Sequence, residues 1–198
     1  MKIKICCLSG SLFSAFSEVF ADVEAVEIVA TPFEAVQDCD AMVSAANSFG
    51  LMDGGVDAAI TAFFGEQLMH RVKKHIVRQY LGEQPVGTAF IIGTRSERFP
   101  WLIHAPTMRV PMNIAGCDHV YQATRAALVA IHHHNEHSRS PITSVCFPAM
   151  GAGTGGVSPR SCALQMRLAY DSVNQRPSYL DWNFAIVREK SIACVCEQ

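Results

Sequence analysis

The chain has 198 residues, of which 49% are hydrophobic and 17% are charged. This length is typical of one globular domain with a sizeable core, so we expect a single domain over residues 1–198. The net charge of −2 provides no basic surface for a phosphate backbone, so duplex nucleic acid is not an expected partner. A small anionic ligand is compatible with this charge, because a few backbone amides can hold one.

The N-terminal segment lacks the uninterrupted apolar stretch of a secretion signal, and no apolar run is long enough to span a bilayer. The eight cysteines stand singly or in apolar contexts, and none forms a C-x-x-C pair. We expect Cys194 and Cys196 to be tail or strand residues rather than metal ligands. Together these features predict reduced, buried thiols in a cytoplasmic protein that has no membrane partner.

Short β-branched apolar runs alternate with longer amphipathic segments along the chain, which is the pattern of an α/β fold. Ser158 and Pro159 indicate the N-cap and the first residue of a helix. Runs such as SVCFPA are apolar on both faces, so helices should cover both sides of the sheet. We therefore predict a three-layer α/β/α sandwich with a mixed central sheet. In chain order the predicted elements are a strand at 2–8, a helix at 14–23, strands at 25–30 and 40–46, helices at 55–65 and 67–81, strands at 87–93 and 101–106, a helix at 119–137, a strand at 142–149, a helix at 160–173 and a last strand at 181–187.

Two glycine-rich loops each follow a buried strand. They read NSFGLMDGGVD from residue 47 and MGAGTGGVSP from residue 150. In open α/β sheets ligands bind at the carboxyl ends of the strands, where both loops emerge. In the second loop Gly151, Gly153 and Gly156 fit the G-x-G-x-x-G pattern, which lets the backbone approach a phosphate closely. A permissive turn between strand and helix is the alternative explanation of the same glycines.

The first loop carries polar side chains as well as glycines. A helix beginning after Gly54 and Gly55 would direct its free amides back toward the loop. Asn47 and Asp57 flank the loop, and an amide with a carboxylate could position a hydroxyl group or a water. Alternatively, Asn47 only turns the backbone and Asp57 only complements the helix dipole. The spacing leaves both interpretations open.

The segment DAMVSAANSFGLMDGGVDAAI resembles the first signature of macrodomains, the ADP-ribose-binding fold. Members of that family read roughly D-A-I-V-N-A-A-N, then a glycine-rich loop, then G-V-D-x-A-I. The segment FPAMGAGTGGVSP resembles the second signature more loosely, and GEQPVGTAF and WLIHAPT resemble the stretches between the two. The resemblance covers about residues 38–170, in the same order and at matching spacing.

The resemblance implies a ligand of the ADP-ribose class, held by backbone amides around its diphosphate and distal ribose. In the hydrolytic branch of the family, an Asn at the position of Asn47 contacts the distal ribose and an Asp matching Asp57 orients the attacking water. Such enzymes remove ADP-ribose from acidic side chains of mono-ADP-ribosylated proteins or deacetylate O-acetyl-ADP-ribose, and they require neither a cofactor nor a metal. The ligand-binding residues implied by the resemblance are Ala46, Asp53, Gly54, Gly55, Val56, Gly151, Ala152, Gly153, Thr154, Gly155 and Gly156.

Three positions depart from the family pattern. Pro32 falls at about the place of the Asp that reads adenine, and Asp53 stands where a glycine is common. Gly155 stands near the place of the aromatic residue that packs on the distal ribose, so we expect a second loop that is more open or moves more. The loss of the adenine-reading Asp and of the ribose-packing aromatic favours the alternative of a non-catalytic ADP-ribose reader.

A second alternative is a Rossmann-type dehydrogenase built on GAGTGG. It would need an acidic ribose-binding residue at the end of the next strand. In the following apolar segment Arg188 comes first and Glu189 only after it. The motif also lies late in the chain, which leaves too little sequence for a second half of such a fold.

Three further features suggest chemistry but also have simpler explanations. A histidine run near residue 134 looks like a metal cluster, yet a solvated helix end is the favoured interpretation. His104 lies in an apolar strand and is more simply a core histidine than a base. The segment TMRVPMNIAG, which carries Arg109, is either a lid over the ligand or a packed connection. The histidines of the run are His132, His133, His134 and His137.

Overall fold

A computed structural model describes residues 1–198 and contains one six-stranded sheet. The strand order is β2-β1-β6-β3-β5-β4. Neighbouring strands are parallel except β4, which runs antiparallel to β5 at one edge. The sheet is therefore mixed, as predicted. The strands are β1 Lys2–Cys6, β2 Val26–Val29, β3 Ala41–Asn47, β4 Phe90–Gly93, β5 Trp101–Met108 and β6 Ser144–Pro148.

Six helices connect and follow these strands. The Ser158 side chain accepts a hydrogen bond from the amide of Ser161, and Pro159 is the first helical residue, so the predicted cap is confirmed. Helix α1 begins earlier than predicted because Ser9 caps it, accepting from the amide of Leu12. The helices are α1 Gly10–Val19, α2 Gly55–Phe64, α3 Glu66–Gln79, α4 His119–His137, α5 Pro159–Asn174 and α6 Trp182–Cys196.

The sheet has a core on each face. Helices α1, α4 and α5 pack against one face, where Ile5, Phe16 and Val120 are buried. Helices α2 and α3 pack against the other, with Met42, Ile60 and Phe99 at its centre. This arrangement confirms the three-layer α/β/α sandwich.

The predicted last strand is wrong, because residues 182–196 form helix α6. The Asp181 side chain accepts a hydrogen bond from the amide of Phe184 at 2.7 Å and so caps a helix start that the apolar run concealed. Helix α6 packs on α5, where the Ser161 hydroxyl donates to the carbonyl of Val195. Cys194 and Cys196, expected in a tail or strand, lie in this helix. None of the helices combines the length and apolar character needed to cross a membrane.

Candidate functional site

A cleft of about 500 Å³ opens at the carboxyl ends of the parallel strands. Both glycine loops border it, as the position of such loops in an α/β sheet predicts. Every predicted site residue lines the cleft except Gly156, whose amide instead donates to the carbonyl of Gly153 inside the loop. The predicted residues that line it are Ala46, Asn47, Asp53, Gly54, Gly55, Val56, Asp57, Gly151, Ala152, Gly153, Thr154 and Gly155.

Asn47 shapes the first loop with its side chain. Its Oδ1 accepts from the amides of Phe49 and Leu51, and its Nδ2 donates to the carbonyl of Leu51 at 2.7 Å. The side chain therefore turns the backbone, as one of the two interpretations requires. One Nδ2 hydrogen is left for a ligand.

The start of helix α2 presents unpaired donors to the cleft. The amides of Gly54, Gly55 and Val56 donate to no acceptor of the chain. The first hydrogen bond of the helix is the one that the amide of Ala58 donates to the carbonyl of Gly54. Gly55 has a φ of +54°, and a Cβ placed there would meet nothing within 4 Å. This bare helix N-terminus is well suited to bind an anion.

Asp57 points inward from the first turn of α2. It is 4% exposed and accepts a short hydrogen bond from the Ser44 hydroxyl on β3 at 2.5 Å. Burial raises the pKa of Asp57 to about 7, the Ser44 hydrogen bond opposes this increase, and the charge of Asp53 adds to it. A carboxyl group with this pKa exchanges protons near neutral pH, which is what a general base needs.

The second loop is closed by its own backbone. The amide of Val157 donates to the carbonyl of Gly151, and the carbonyl of Gly155 accepts from the amide of Ile114 at 2.8 Å. A Cβ at Gly155 would lie 2.5 Å from the carbonyl oxygen of Gly151. The loop backbone is therefore tied to itself and to Ile114. The amides of Gly153, Thr154 and Gly155 have no acceptor in the chain, so this loop offers a second set of free donors.

One wall of the cleft contains two residues, Phe33 and Glu34, that were not predicted to line it. It is formed by the turn after β2, where Pro32, Phe33 and Glu34 line the cleft. Arg98 holds this turn by donating to the carbonyls of Glu34 and Val36. Local sequence gives no signal for this support, because Arg98 lies more than sixty residues away along the chain.

Strand β1 and the end of β5 complete the cleft. Cys6, Leu8 and Leu12 line it from the β1–α1 side, and Thr107 and Met108 line it from β5. The positions of these two strands in the sheet bring them to the cleft, and the strand order could not be read from the sequence. The charged residues in the lining are Glu34, Asp53 and Asp57, all acidic.

The segment from Thr107 onward combines both proposed roles. Pro111 lines the cleft, whereas Ile114 is buried and fastens the second loop. Arg109 does not line the cleft and instead pairs with Glu83, Nε to Oε1, at 2.6 Å on the surface. The segment is thus a packed connection with three residues, Thr107, Met108 and Pro111, at the cleft surface.

His104 is a core histidine, as expected. It is fully buried, and its Nδ1 lies 2.7 Å from Oε1 of Gln84. Burial lowers the pKa of His104 to about 3, so the ring is neutral. It does not line the cleft.

The histidine run lies at the C-terminal end of α4. Glu136 contacts His132 and His133 at 3.1 and 3.3 Å, and the ligand atoms of these three residues lie within 4.8 Å of one another. Nδ1 of His137 lies 2.9 Å from the carbonyl oxygen of His133 instead. His133 and Glu136 are solvent-exposed, as the interpretation of a solvated helix end requires.

Comparisons with known proteins identify relatives of this chain. The family model described as Macro domain matches residues 43–166. An uncharacterized protein of Aquifex aeolicus is 35% identical over 130 residues, which are 65% of this chain and 71% of the relative. An uncharacterized protein of Aeropyrum pernix is 33% identical over 130 residues, 66% of this chain and 62% of the relative.

Solved structures of low sequence identity share the fold. The macrodomain of Mycobacterium tuberculosis DarG matches with a TM-score of 0.57 at 20% identity, covering 85% of this chain and 91% of that one. A mutant of the Oceanobacillus iheyensis macrodomain with ADPR matches with a TM-score of 0.57 at 18% identity, covering 82% and 89%. The same macrodomain with ADP gives 0.55 at 19% identity, covering 80% and 85%.

Proposed function

The chain belongs to the macrodomain family, and from this premise we propose that it binds ADP-ribose, or a close derivative, and hydrolyses the ester at the distal ribose. The observation that carries the proposal is the pair of loops whose free amides border one cleft. Those of Gly54 to Val56 and of Gly153 to Gly155 have no acceptor in the chain. Buried or ligand-facing amides need acceptors, and a diphosphate supplies several close together.

The charge of the cleft supports recognition by amides rather than by side chains. No Lys, Arg or His lines it, so a diphosphate would find no cationic partner there. Backbone dipoles and the α2 N-terminus are the remaining sources of positive potential. Asp53 lines the same loop and would repel a phosphate, which favours an orientation of its carboxylate toward ribose hydroxyls or solvent.

Asp57 is the residue to which we assign the catalytic role. A carboxylate that orients a water against an ester must be ionised, desolvated and fixed in direction. Burial desolvates Asp57 and the Ser44 hydroxyl fixes it. In the reaction Asp57 would accept a proton from the attacking water, and the substrate's own phosphate would help to position that water. Asn47 would contact the distal ribose through its free Nδ2 hydrogen.

Glu34 offers an acceptor for the base of the ligand. It lies in the cleft lining after β2, two residues beyond Pro32. A carboxylate there can accept a hydrogen bond from an exocyclic amino group such as that of adenine. This position would compensate for the proline that stands at the family's usual adenine-reading Asp.

The alternative function is a non-catalytic reader that uses the same loops only to bind. The bonds of Asn47 favour it, because three of the side chain's hydrogen-bonding positions are taken by the loop backbone. In both functions residues 1–198 act as a single macrodomain. The substrates of the hydrolase would be a mono-ADP-ribosylated protein or O-acetyl-ADP-ribose.

Calorimetry and turnover assays on the wild-type protein separate these functions. ADP-ribose should bind, and with O-acetyl-ADP-ribose or a protein ADP-ribosylated on glutamate the protein should release acetate or ADP-ribose. Binding without turnover of either substrate would establish the reader. A failure of ADP-ribose to bind would overturn both functions and point to a different ligand for the cleft.

A further inference from the structure

Two cysteine thiols meet at the floor of the cleft. Cys6 ends β1 and Cys146 lies on the neighbouring strand β6, with their Sγ atoms 3.4 Å apart. Both belong to the core on the α2 and α3 face of the sheet. A disulfide needs an S–S separation of about 2.0 Å, so the two sulfurs, now 3.4 Å apart, must move closer by about 1.4 Å.

Only one of the two thiols can be reached from solvent. Cys6 lines the cleft, whereas Cys146 is completely buried. A small oxidant entering the cleft would therefore meet Cys6 first, and Cys146 is placed behind it as the second thiol. This is the arrangement of an attacking and a resolving cysteine.

The pKa values of the thiols in this part of the core also indicate that Cys6 reacts first. A hydrogen bond from the Cys146 thiol lowers the pKa of Cys6, against the effect of burial. Burial raises the pKa of Cys7 to about 12 and that of Cys39 to about 11. The thiolate is the reactive form, so Cys6 is the most reactive thiol of this group.

We propose that Cys6 and Cys146 form a reversible disulfide at the cleft floor, with a hydroperoxide as the oxidant and a dithiol as the reductant. The Cys6 thiolate attacks the peroxide, the O–O bond breaks, and an alcohol or water leaves as Cys6 becomes a sulfenic acid. The Cys146 sulfur then attacks the Cys6 sulfur, the S–O bond breaks and water leaves. In all, two thiols lose two hydrogens and the peroxide is reduced.

Mass spectrometry of peroxide-treated protein tests the proposal. The three cysteines outside the core, Cys117, Cys194 and Cys196, are first changed to serine so that they cannot form competing disulfides. We expect intact protein to lose about 2 Da, the mass of two hydrogens, and to regain it with dithiothreitol. Trypsin cleaves at Lys and Arg, so the disulfide should join peptides 5–71 and 140–160. A treated protein without that linkage would overturn the proposal.

Variants identify which thiols react. In this background Cys146→Ser should stop at a sulfenic acid on Cys6 that a dimedone probe labels, and Cys6→Ser should show no loss of mass. Cys39→Ser is the matched control, because Cys39 is buried on the same face and should leave the disulfide intact. A linkage that persists in Cys6→Ser and disappears in Cys39→Ser would contradict the assignment. Peptide 5–71 also contains Cys7 and Cys39. Fragmentation of the linked peptides therefore has to place the bond on Cys6, and this assignment decides the matter even if a serine variant does not fold.

A second readout rests on the proposed function. Because Cys6 lines the cleft, saturating ADP-ribose should slow formation of the disulfide several-fold. Calorimetry first establishes that ADP-ribose is bound, so a failure of the proposed function is recognised separately. Equal oxidation rates with the cleft occupied and empty would contradict entry of the oxidant through it.

Discussion

The two loops of the cleft border the same space but are built differently. The loop over residues 47–57 is held by side chains, with Asn47 turning its backbone and Asp57 bonded to Ser44. The loop over residues 150–158 is held by its own carbonyls and leaves no room for a side chain at Gly155. The first therefore carries chemistry that can titrate, and the second provides a fixed set of donors. Binding and turnover should respond differently to changes in each.

The largest expected effect is on turnover, from a change in the first loop. Asp57→Ala should reduce hydrolysis of the distal ester by about 10² to 10⁴-fold, the range for loss of a general base, while ADP-ribose still binds. Initial rates and calorimetry measure the two quantities. Glu66→Ala is the control, because Glu66 is an exposed carboxylate that does not line the cleft and should keep most of the activity. Equal losses in both variants would remove the special role of Asp57.

The next effect is on binding, from a change in the second loop. Gly155→Ala places a Cβ against the Gly151 carbonyl and should weaken ADP-ribose binding at least about tenfold, with a loss of stability of about 1–3 kcal/mol. Gly10→Ala is the control, since a Cβ there meets nothing within 4 Å and Gly10 does not line the cleft. Calorimetry and thermal unfolding measure both. Similar behaviour of the two variants would mean that closure of this loop does not organise the site.

Ser44→Ala tests how the first loop sets the ionisation of Asp57. The Ser44 hydrogen bond lowers the pKa of Asp57, so its removal should raise that pKa further. Because the base must be ionised, the rising limb of the pH-rate profile should move to higher pH. Rates at saturating substrate between pH 5 and 9 give the midpoint. If the midpoint of the pH-rate profile is unchanged while the rates are lower at every pH, Ser44 supports only the structure of the loop and does not set the pKa of Asp57.

The smallest effect is on stability. The folded protein keeps a proton on Asp57 up to a pH of about 7, whereas the ordinary value is 3.8. Between these values the native state binds more protons than the unfolded state, so this group makes stability fall as pH rises toward 7. Asp57→Asn should abolish that dependence and stabilise the protein at pH 8 by about 2 kcal/mol. Urea unfolding of both proteins at pH 5 and pH 8 gives the free energies of unfolding to compare. A wild-type protein that gains stability relative to Asp57→Asn as the pH rises would contradict this prediction.

The sequence predicted the fold class and most of the elements because the buried strands are apolar and the helices are amphipathic. The prediction for helix α6 was wrong. No residue of this helix is buried, so its apolar residues do not follow the spacing that a buried helix face produces. Because apolar side chains such as Trp182 are exposed, the N-cap residue Asp181 is the only strong indication in the sequence that a helix begins here. Patterns of burial cannot identify an element that is barely buried.

The candidate site was predicted where neighbours in sequence carry it and missed where the sheet assembles it. The glycines, Asn47 and Asp57 lie on two continuous segments, so spacing located them. Ser44 as the partner of Asp57 depends on how α2 sits on β3, and Cys6 reaches the cleft because β1 lies next to β6. Such placements follow from strand order and helix packing, which a single sequence does not state.

The most direct measurement is the pH dependence of acetate release from O-acetyl-ADP-ribose in single turnover, with enzyme in excess. Asp57→Asn supplies the rate without the carboxylate at each pH. After this subtraction we expect the wild-type rate to rise through a midpoint near 7 to a plateau, as ionisation of Asp57 requires. A protein that binds ADP-ribose but gives the same rate as Asp57→Asn at every pH would contradict it.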